Sequence, residues 1–252
     1  MTDQPPFVDR FDDPRITPQF CRSLPSRNLV LLGVVHDHPA SIGRVERVLE
    51  AVEPNTLALE LPPAAISLYQ RAGGVDGGEM TAALEAAPTA TAVGIDGPDW
   101  SFLRRVLTTL LADRVSLSTA RRVLASVSGA TKTALACRVA TVSNATETAG
   151  SIRADPIQYD CSSEDTAARQ ADHERRHVDS VRTLLALEQM GTEDSSLPTA
   201  ATYRDEAREA CMIDRLESLT DGTGLTVAIV GVDHLDALET ALRRAEPSRT
   251  VH

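Results

Sequence analysis

The chain has no C-x-x-C pair; its four cysteines, Cys21, Cys137, Cys161 and Cys211, lie far apart. That excludes a zinc ribbon and a thioredoxin-like redox centre, and it fits a reducing compartment. Nowhere do 18 apolar residues follow one another, so no membrane span is expected. The opening MTDQPPFVDRFDDPR has acids and prolines where a secretory leader needs a basic start and an apolar core. Basic residues are also in deficit, 25 against 36 acidic, for a formal charge of -11, which disfavours nonspecific binding to nucleic acid or an anionic membrane. From these absences a soluble, cytoplasmic protein with an acidic surface is expected. Its 252 residues, 42% of them hydrophobic, suffice for a real core.

Residues 1–26 carry five prolines and little periodicity, and read as an irregular arm. The rest, 27–252, reads as a single α/β domain. NLVLLGVVHDH is an apolar run of strand length, and SIGRVERVLEAV places Ile42, Val45, Val48, Leu49 and Val52 at helical spacing behind Ser41 as a cap. TLALELPP repeats the strand form, and PPAAISLYQRA opens a helix on proline. After the glycine-rich GGVDGGEM and a short helical segment, TAVGIDGPDW gives a third strand and FLRRVLTTLLADRV a helix. Strands alternating with helices predict a mostly parallel central sheet with helices on its faces. From about 100 to 219 the pattern is helical throughout, with segments near 117–140, 163–190 and 200–219. LTVAIVGVDH then supplies a fourth strong strand and LDALETALRR a closing helix.

One local pattern recurs: LLGVVHDH and AIVGVDHL both end a buried strand with Gly-x-x-His. In a parallel sheet, ligands gather beyond the carboxyl ends of the strands. That edge would collect His36, His234, Glu60 from ALELPP and Asp96 from GIDGPD. Two imidazoles and a carboxylate suit Zn, Mn, Co or Fe and leave positions open for water and substrate. Gly33 and Gly231, three residues before each histidine, let the backbone turn or approach a ligand closely. On the helix YRDEAREACMIDRLESL, Arg204 and Arg208 share a face with Met212, and an inward arginine would grip a carboxylate or an oxyanion.

These residues resemble the TraB/PrgY family, which is related to the TIKI metalloproteases. GVVHDHPASIGRVERVLEAVEPNTLALELPP is similar to the family's opening Gly-x-x-His, serine, helix and Glu-Leu strand end. GIDGPDWSFLRR resembles its later strand and Asp-Arg motif, EAREACM its Glu-Arg-x-x-x-Met-like helix, and VGVDHLDAL its second Gly-x-x-His. The resemblance covers most of the chain in the right order. It implies that His36, Glu60, Arg208 and His234 form the functional set, with Asp96 beside them, Gly33 and Gly231 completing the motifs. Gly97 and Ala65 stand where the family often has arginines. The implied activity is metal-dependent hydrolysis of a peptide or amide: His36 and His234 hold a divalent ion, Glu60 is a third ligand or the general base, and Arg208 steadies the oxyanion. The alternative is a protein that sequesters a peptide or small anionic ligand in the same cleft without cleaving it.

DHERRH, residues 172–177, carries the His-Glu-x-x-His of zinc peptidases. With arginine at both x positions it reads as a solvated helix face, although His173 and His177 share a row with Val181 and Leu185. The strand-end set is therefore the expected metal site, with His38 a neighbour of His36. Val178, Val181, Leu184, Leu185 and Leu187 exceed what one narrow helix stripe needs, which points to a homodimer contact.

Overall fold

The computed structural model describes residues 7–72, 78–97, 100–113, 115–118, 120–125, 157–191, 200–220 and 224–244. The strands are β1 (Cys21–Leu24), β2 (Leu29–Val34), β3 (Thr56–Leu59), β4 (Thr91–Gly94) and β5 (Thr226–Gly231). The helices are α1 (Pro39–Val52), α2 (Pro63–Ala72), α3 (Glu79–Ala86), α4 (Trp100–Ala112), α5 (Ala167–Gly191), α6 (Ala200–Thr220) and α7 (Val232–Arg244). One five-stranded sheet runs β1-β2-β5-β3-β4. Only β1 is antiparallel, pairing Cys21 with Leu32 and Leu24 with Leu29. The expected α/β architecture is thus present, with α4, α5 and α6 between β4 and β5. The predicted helix near 117–140 falls largely on residues outside the described ones. β1 lies within the segment read as an irregular arm: CRSL is too short and too polar to signal a strand, and it forms by pairing along an exposed edge of β2.

The last strand of the chain enters the middle of the sheet, between β2 and β3. Central strands must be apolar on both faces, as LVLLGV and TVAIVG are. Val30, Leu32, Val34, Leu57, Leu59, Val227 and Ile229 turn to one face, under Val45, Val48 and Leu49 of α1, Met80 and Ala83 of α3, and Val178 of α5. Leu29, Leu31, Ala58, Ala228 and Val230 turn to the other, under Met212 and Leu216 of α6 and Leu235, Leu238 and Leu242 of α7. Each of the larger aliphatic side chains among them, wholly buried, contributes about 1.5–3 kcal/mol. Phe102, Val106, Tyr203 and Cys211 form a smaller cluster joining α4 to α6.

A charged group is set into the first of these cores. Arg44 of α1 and Glu174 of α5 are both fully buried and ion-paired. The Arg44 guanidinium also donates to the Gly33 carbonyl at 2.7 Å and the Arg15 carbonyl at 2.7 Å, and lies 4.1 Å from the Phe20 ring centroid. Ser41 donates to the second Glu174 oxygen and accepts the Val35 amide at 2.8 Å. Ser41 was the expected cap of α1, but that role falls to His38, whose Nδ1 accepts the Ala40 amide at 3.1 Å with Pro39 in the first turn. The serine is drawn inward because a buried carboxylate needs its donors.

Removing one member of a buried pair strands the other charge. Glu174→Ala should lower the free energy of unfolding by about 3–5 kcal/mol, measured by urea denaturation, while Arg44→Met with Glu174→Leu should recover most of the loss. A change below about 1 kcal/mol in Glu174→Ala would show that solvent reaches Arg44.

Candidate functional site at the strand ends

The sheet order sets four side chains in a row at the carboxyl ends: His36 after β2, His234 after β5, Glu60 after β3 and Asp96 after β4. Both histidines and Glu60 line a cavity of about 290 Å³, with Arg208 on one wall and Val34, Val178, Val181 and Val232 on others.

The two Gly-x-x-His motifs fold differently. Gly33 pairs with Val230, one step out of phase with Gly231, which pairs with Val34. After β2 the chain enters a loop, and Asp37 takes a left-handed conformation with φ of 58°, which aspartate tolerates better than most residues. His36 there stands out from the loop, its side chain 58% exposed, while His38 turns inward and is fully buried. After β5 the chain passes directly into α7, and His234 sits buried in its first turn. Gly33 serves packing: a Cβ there would stand 3.0 Å from the Leu235 side chain and 3.4 Å from the Val232 Cα. Gly231 borders the cavity, where a Cβ would stand 3.4 Å from Glu60 Oε2 and 3.7 Å from His234 Cδ2.

Each histidine is backed by a carboxylate. His36 Nδ1 lies 2.6 Å from Glu79 Oε1, and the other Glu79 oxygen accepts the Asp37 amide at 2.9 Å. Glu79 is buried, so this pair fixes the ring and the loop together. The Glu79 hydrogen bond raises the His36 pKa to about 8 against the effect of burial, and the Glu79 and Glu60 charges add to it. His234 Nδ1 lies 2.9 Å from Glu209 Oε1 of α6. Burial opposes protonation of His234, but the Glu209 hydrogen bond and the Glu60 charge outweigh it and the pKa is raised. With Nδ1 on a carboxylate in both rings, Nε2 is the other nitrogen available to a ligand. His234 Nε2 stands 3.6 Å from Glu60 Oε1.

Glu60 is held on both oxygens. Oε1 accepts from Arg208 at 2.7 Å, and Oε2 accepts the Gly231 amide. Arg208 also grips Asp96 through Nε at 3.2 Å and Nη2 at 2.7 Å. Burial works against the guanidinium charge, but the Asp96 hydrogen bonds and the Asp96 and Glu60 charges raise its pKa on balance. Arg204, one turn earlier, pairs with its neighbour Asp205 at 2.9 Å. Asp96 thus reaches the cavity only through Arg208. Glu79 and Glu209 were not singled out from sequence. Glu79 follows a glycine-rich break with no strand before it, and Glu209 differs from other helix glutamates only in standing next to Arg208.

DHERRH is not the solvated face its arginines suggested. Arg175 and Arg176 are exposed, but Glu174 is fully buried and His173 and His177 are half-buried. His173 Nδ1 lies 2.9 Å from His38 Nε2; since His38 Nδ1 accepts an amide, His38 is the donor in that pair. Burial, then the neighbouring His173 and His177, push the His38 pKa down to about 4. His38 therefore belongs to this cluster by its hydrogen bonds. Tyr159 packs edge-on against His38, His173 and His177 and donates to the His36 carbonyl at 2.8 Å. The motif's glutamate is committed to Arg44, so it does not serve as the general base of a zinc peptidase.

Among the described residues no group of three His, Cys, Asp or Glu side chains is placed to hold a metal ion, and no helix is long and apolar enough to cross a membrane. Comparison of the chain with protein-family models, curated proteins and solved structures finds no match.

A folded pKa above the ordinary imidazole value of 6.5 means that the His36–Glu79 pair stabilises the fold fully below pH 6.5 and loses that contribution as pH rises through about 8. Ring-proton NMR of chelator-treated protein should show His36 titrating near 8, and Glu79→Gln should move the midpoint down toward the free imidazole value. A His36 midpoint at or below 6.5 in the parent protein would show that the pair does not form in solution.

Proposed function

We propose that the cavity at the strand ends is a metal-assisted hydrolytic site for a peptide or amide, of the kind implied by the resemblance to the TraB/PrgY family. One observation carries this reading: His36 and His234 arrive from separate strands to line one cavity, each with Nδ1 on a carboxylate. Metal-binding histidines commonly use such a carboxylate to fix the tautomer and orient the ring. The donor chemistry fits a divalent ion held by Nε2 of His36, Nε2 of His234 and Oε1 of Glu60. His234 and Glu60 already stand 3.6 Å apart, and His36 lines the same cavity.

When bound, such an ion acidifies a water and polarises a carbonyl. The protein's own groups divide the remaining work. Glu60 is better suited to ligation than to proton transfer, because both oxygens already accept hydrogen bonds while each keeps a second lone pair. Arg208, locked by Asp96 and Glu60, offers positive charge at a fixed position on the cavity wall, where it would steady a developing oxyanion. The valines restrict water and give apolar contact to the substrate.

The alternative of binding without cleavage is favoured by a different observation. Without an ion, the two imidazoles and the Arg208 guanidinium line the cavity as hydrogen-bonding groups, which suits a small anion or a peptide carboxylate.

Elemental analysis of protein purified without chelator separates the two. About one divalent ion per chain is expected, lost in both His36→Ala and His234→Ala and retained in His173→Ala and His177→Ala. Parent protein that takes up no Zn, Mn, Co or Fe would end the metal-assisted reading and leave the binding one. Metal lost only from the His173 and His177 variants would move the centre to DHERRH.

A further inference from the structure

The cavity described above is one of two that meet at the same residues. A second, of about 250 Å³, is lined by Leu61, Tyr69, Met80 and Thr81, with Asp37 and Glu79 at its polar end. His36, Glu60 and Ile157 line both. The first cavity runs from these toward α5, α6 and α7, through Val178, Val181, Arg208 and Val232; the second runs toward α2 and α3. Ile157, 53% exposed, borders both. Ligand pockets usually occupy about 300–1,000 Å³, so either space alone suits only a small group. Joined end to end they suit an extended ligand whose middle lies at His36 and Glu60.

The linings differ in charge. The first lobe carries Arg208, His234 and Asp233 among its valines; the second has the carboxylates of Asp37 and Glu79 beside its apolar wall and, among the described residues, no arginine. Each lobe is lined by an apolar side chain of the main core, Val178 on one side and Met80 on the other. A ligand that ended at the junction would leave one apolar lobe in contact with water, whereas one that crossed it would cover both.

We propose that the site is a two-lobed cleft that takes an internal amide bond, with one apolar residue seated against Val178 and Val181 and the other against Tyr69 and Met80. Resting on the hydrolytic reading, this makes the substrate class an extended peptide cut within the chain, with apolar residues on both sides of the bond. Val181 and Thr81, one on each wall, become specificity-determining positions outside the reacting set.

The test is calorimetric binding of a blocked peptide, acetyl-Ala-Leu-Leu-Ala-amide, to chelator-treated protein, with acetyl-Leu-amide as the one-lobe probe. Cleavage does not then disturb the measurement. The tetrapeptide should bind at least about tenfold more tightly than acetyl-Leu-amide, equivalent to about 1.4 kcal/mol. Val181→Trp, which fills the first lobe, and Thr81→Met, which fills the second, should each lower tetrapeptide affinity about tenfold. Both should keep Tm within a few degrees of the parent. If Thr81→Met does not fold, Tyr69→Ala, which removes a wall of the same lobe, should give the same loss.

Abolition of binding by one variant and no effect of the other would reduce the site to a single pocket and overturn the inference, as would no tetrapeptide binding by the parent. Incubation with Zn or Mn followed by mass spectrometry keeps the two readings apart. Two-lobe binding without cleavage would sink the hydrolytic reading alone. Cleavage between the leucines that is indifferent to both substitutions would sink the two-lobed cleft alone.

Discussion

The Arg44–Glu174 ion pair is the constraint on which the position of the site depends. Two charges with no solvent contact are tolerated only if hydrogen bonds satisfy them, and here those come from four directions: the Gly33 and Arg15 carbonyls on the arginine, Ser41 and the arginine itself on the glutamate. Through them α1, α5, the segment before β1 and the end of β2 become a single rigid joint. His36 and His38 leave β2 within five residues of Gly33, so their directions are set by that joint. One turns out toward the cavity and the other turns in to cap α1.

Beyond the joint, the site follows one electrostatic plan. Glu79, Glu209 and Asp96 pair with His36, His234 and Arg208 respectively, so each positive or ionisable tip is braced by a carboxylate. Such bracing holds a ring or a guanidinium in one orientation at little cost on binding, which is the preorganisation that both catalysis and tight ligand capture require. Glu60 is the exception, a carboxylate facing forward and tied to both Arg208 and the Gly231 amide. Its two attachments join the end of β5 to α6, so the shape of the cavity floor is coupled to the packing of those elements.

The His-Glu-x-x-His pattern and the twin Gly-x-x-His motifs show how the same letters take on different work. In DHERRH the helical repeat does bring His173, Glu174 and His177 to the inner side, but the glutamate is claimed by Arg44 and one histidine by His38. In the Gly-x-x-His pair, a loop follows one glycine and a helix the other, so one histidine is exposed and its counterpart buried. Local spacing fixes which side of an element a residue can face. What it meets there depends on residues from 25 to 135 positions away.

The α/β class, the parallel strands and the helical stretch before the last strand were legible in the sequence, because apolar runs of strand length and residues at helical spacing are local signals. So were His36, Glu60, His234 and Asp96 as strand-end residues, since each directly follows such a run. The insertion of β5 between β2 and β3 was not, because pairing partners are chosen by burial on both faces and not by neighbours in sequence. Nor were Glu79, Glu209 and the Arg44–Glu174 joint: charged residues on amphipathic helices look alike until packing removes some of them from water. The sequence by itself determined which side chains reach the carboxyl edge of the sheet. Only the tertiary structure decided which of them share a cavity, which carboxylate stands behind each, and which charges are buried, because those outcomes depend on the desolvation of groups far apart in the chain.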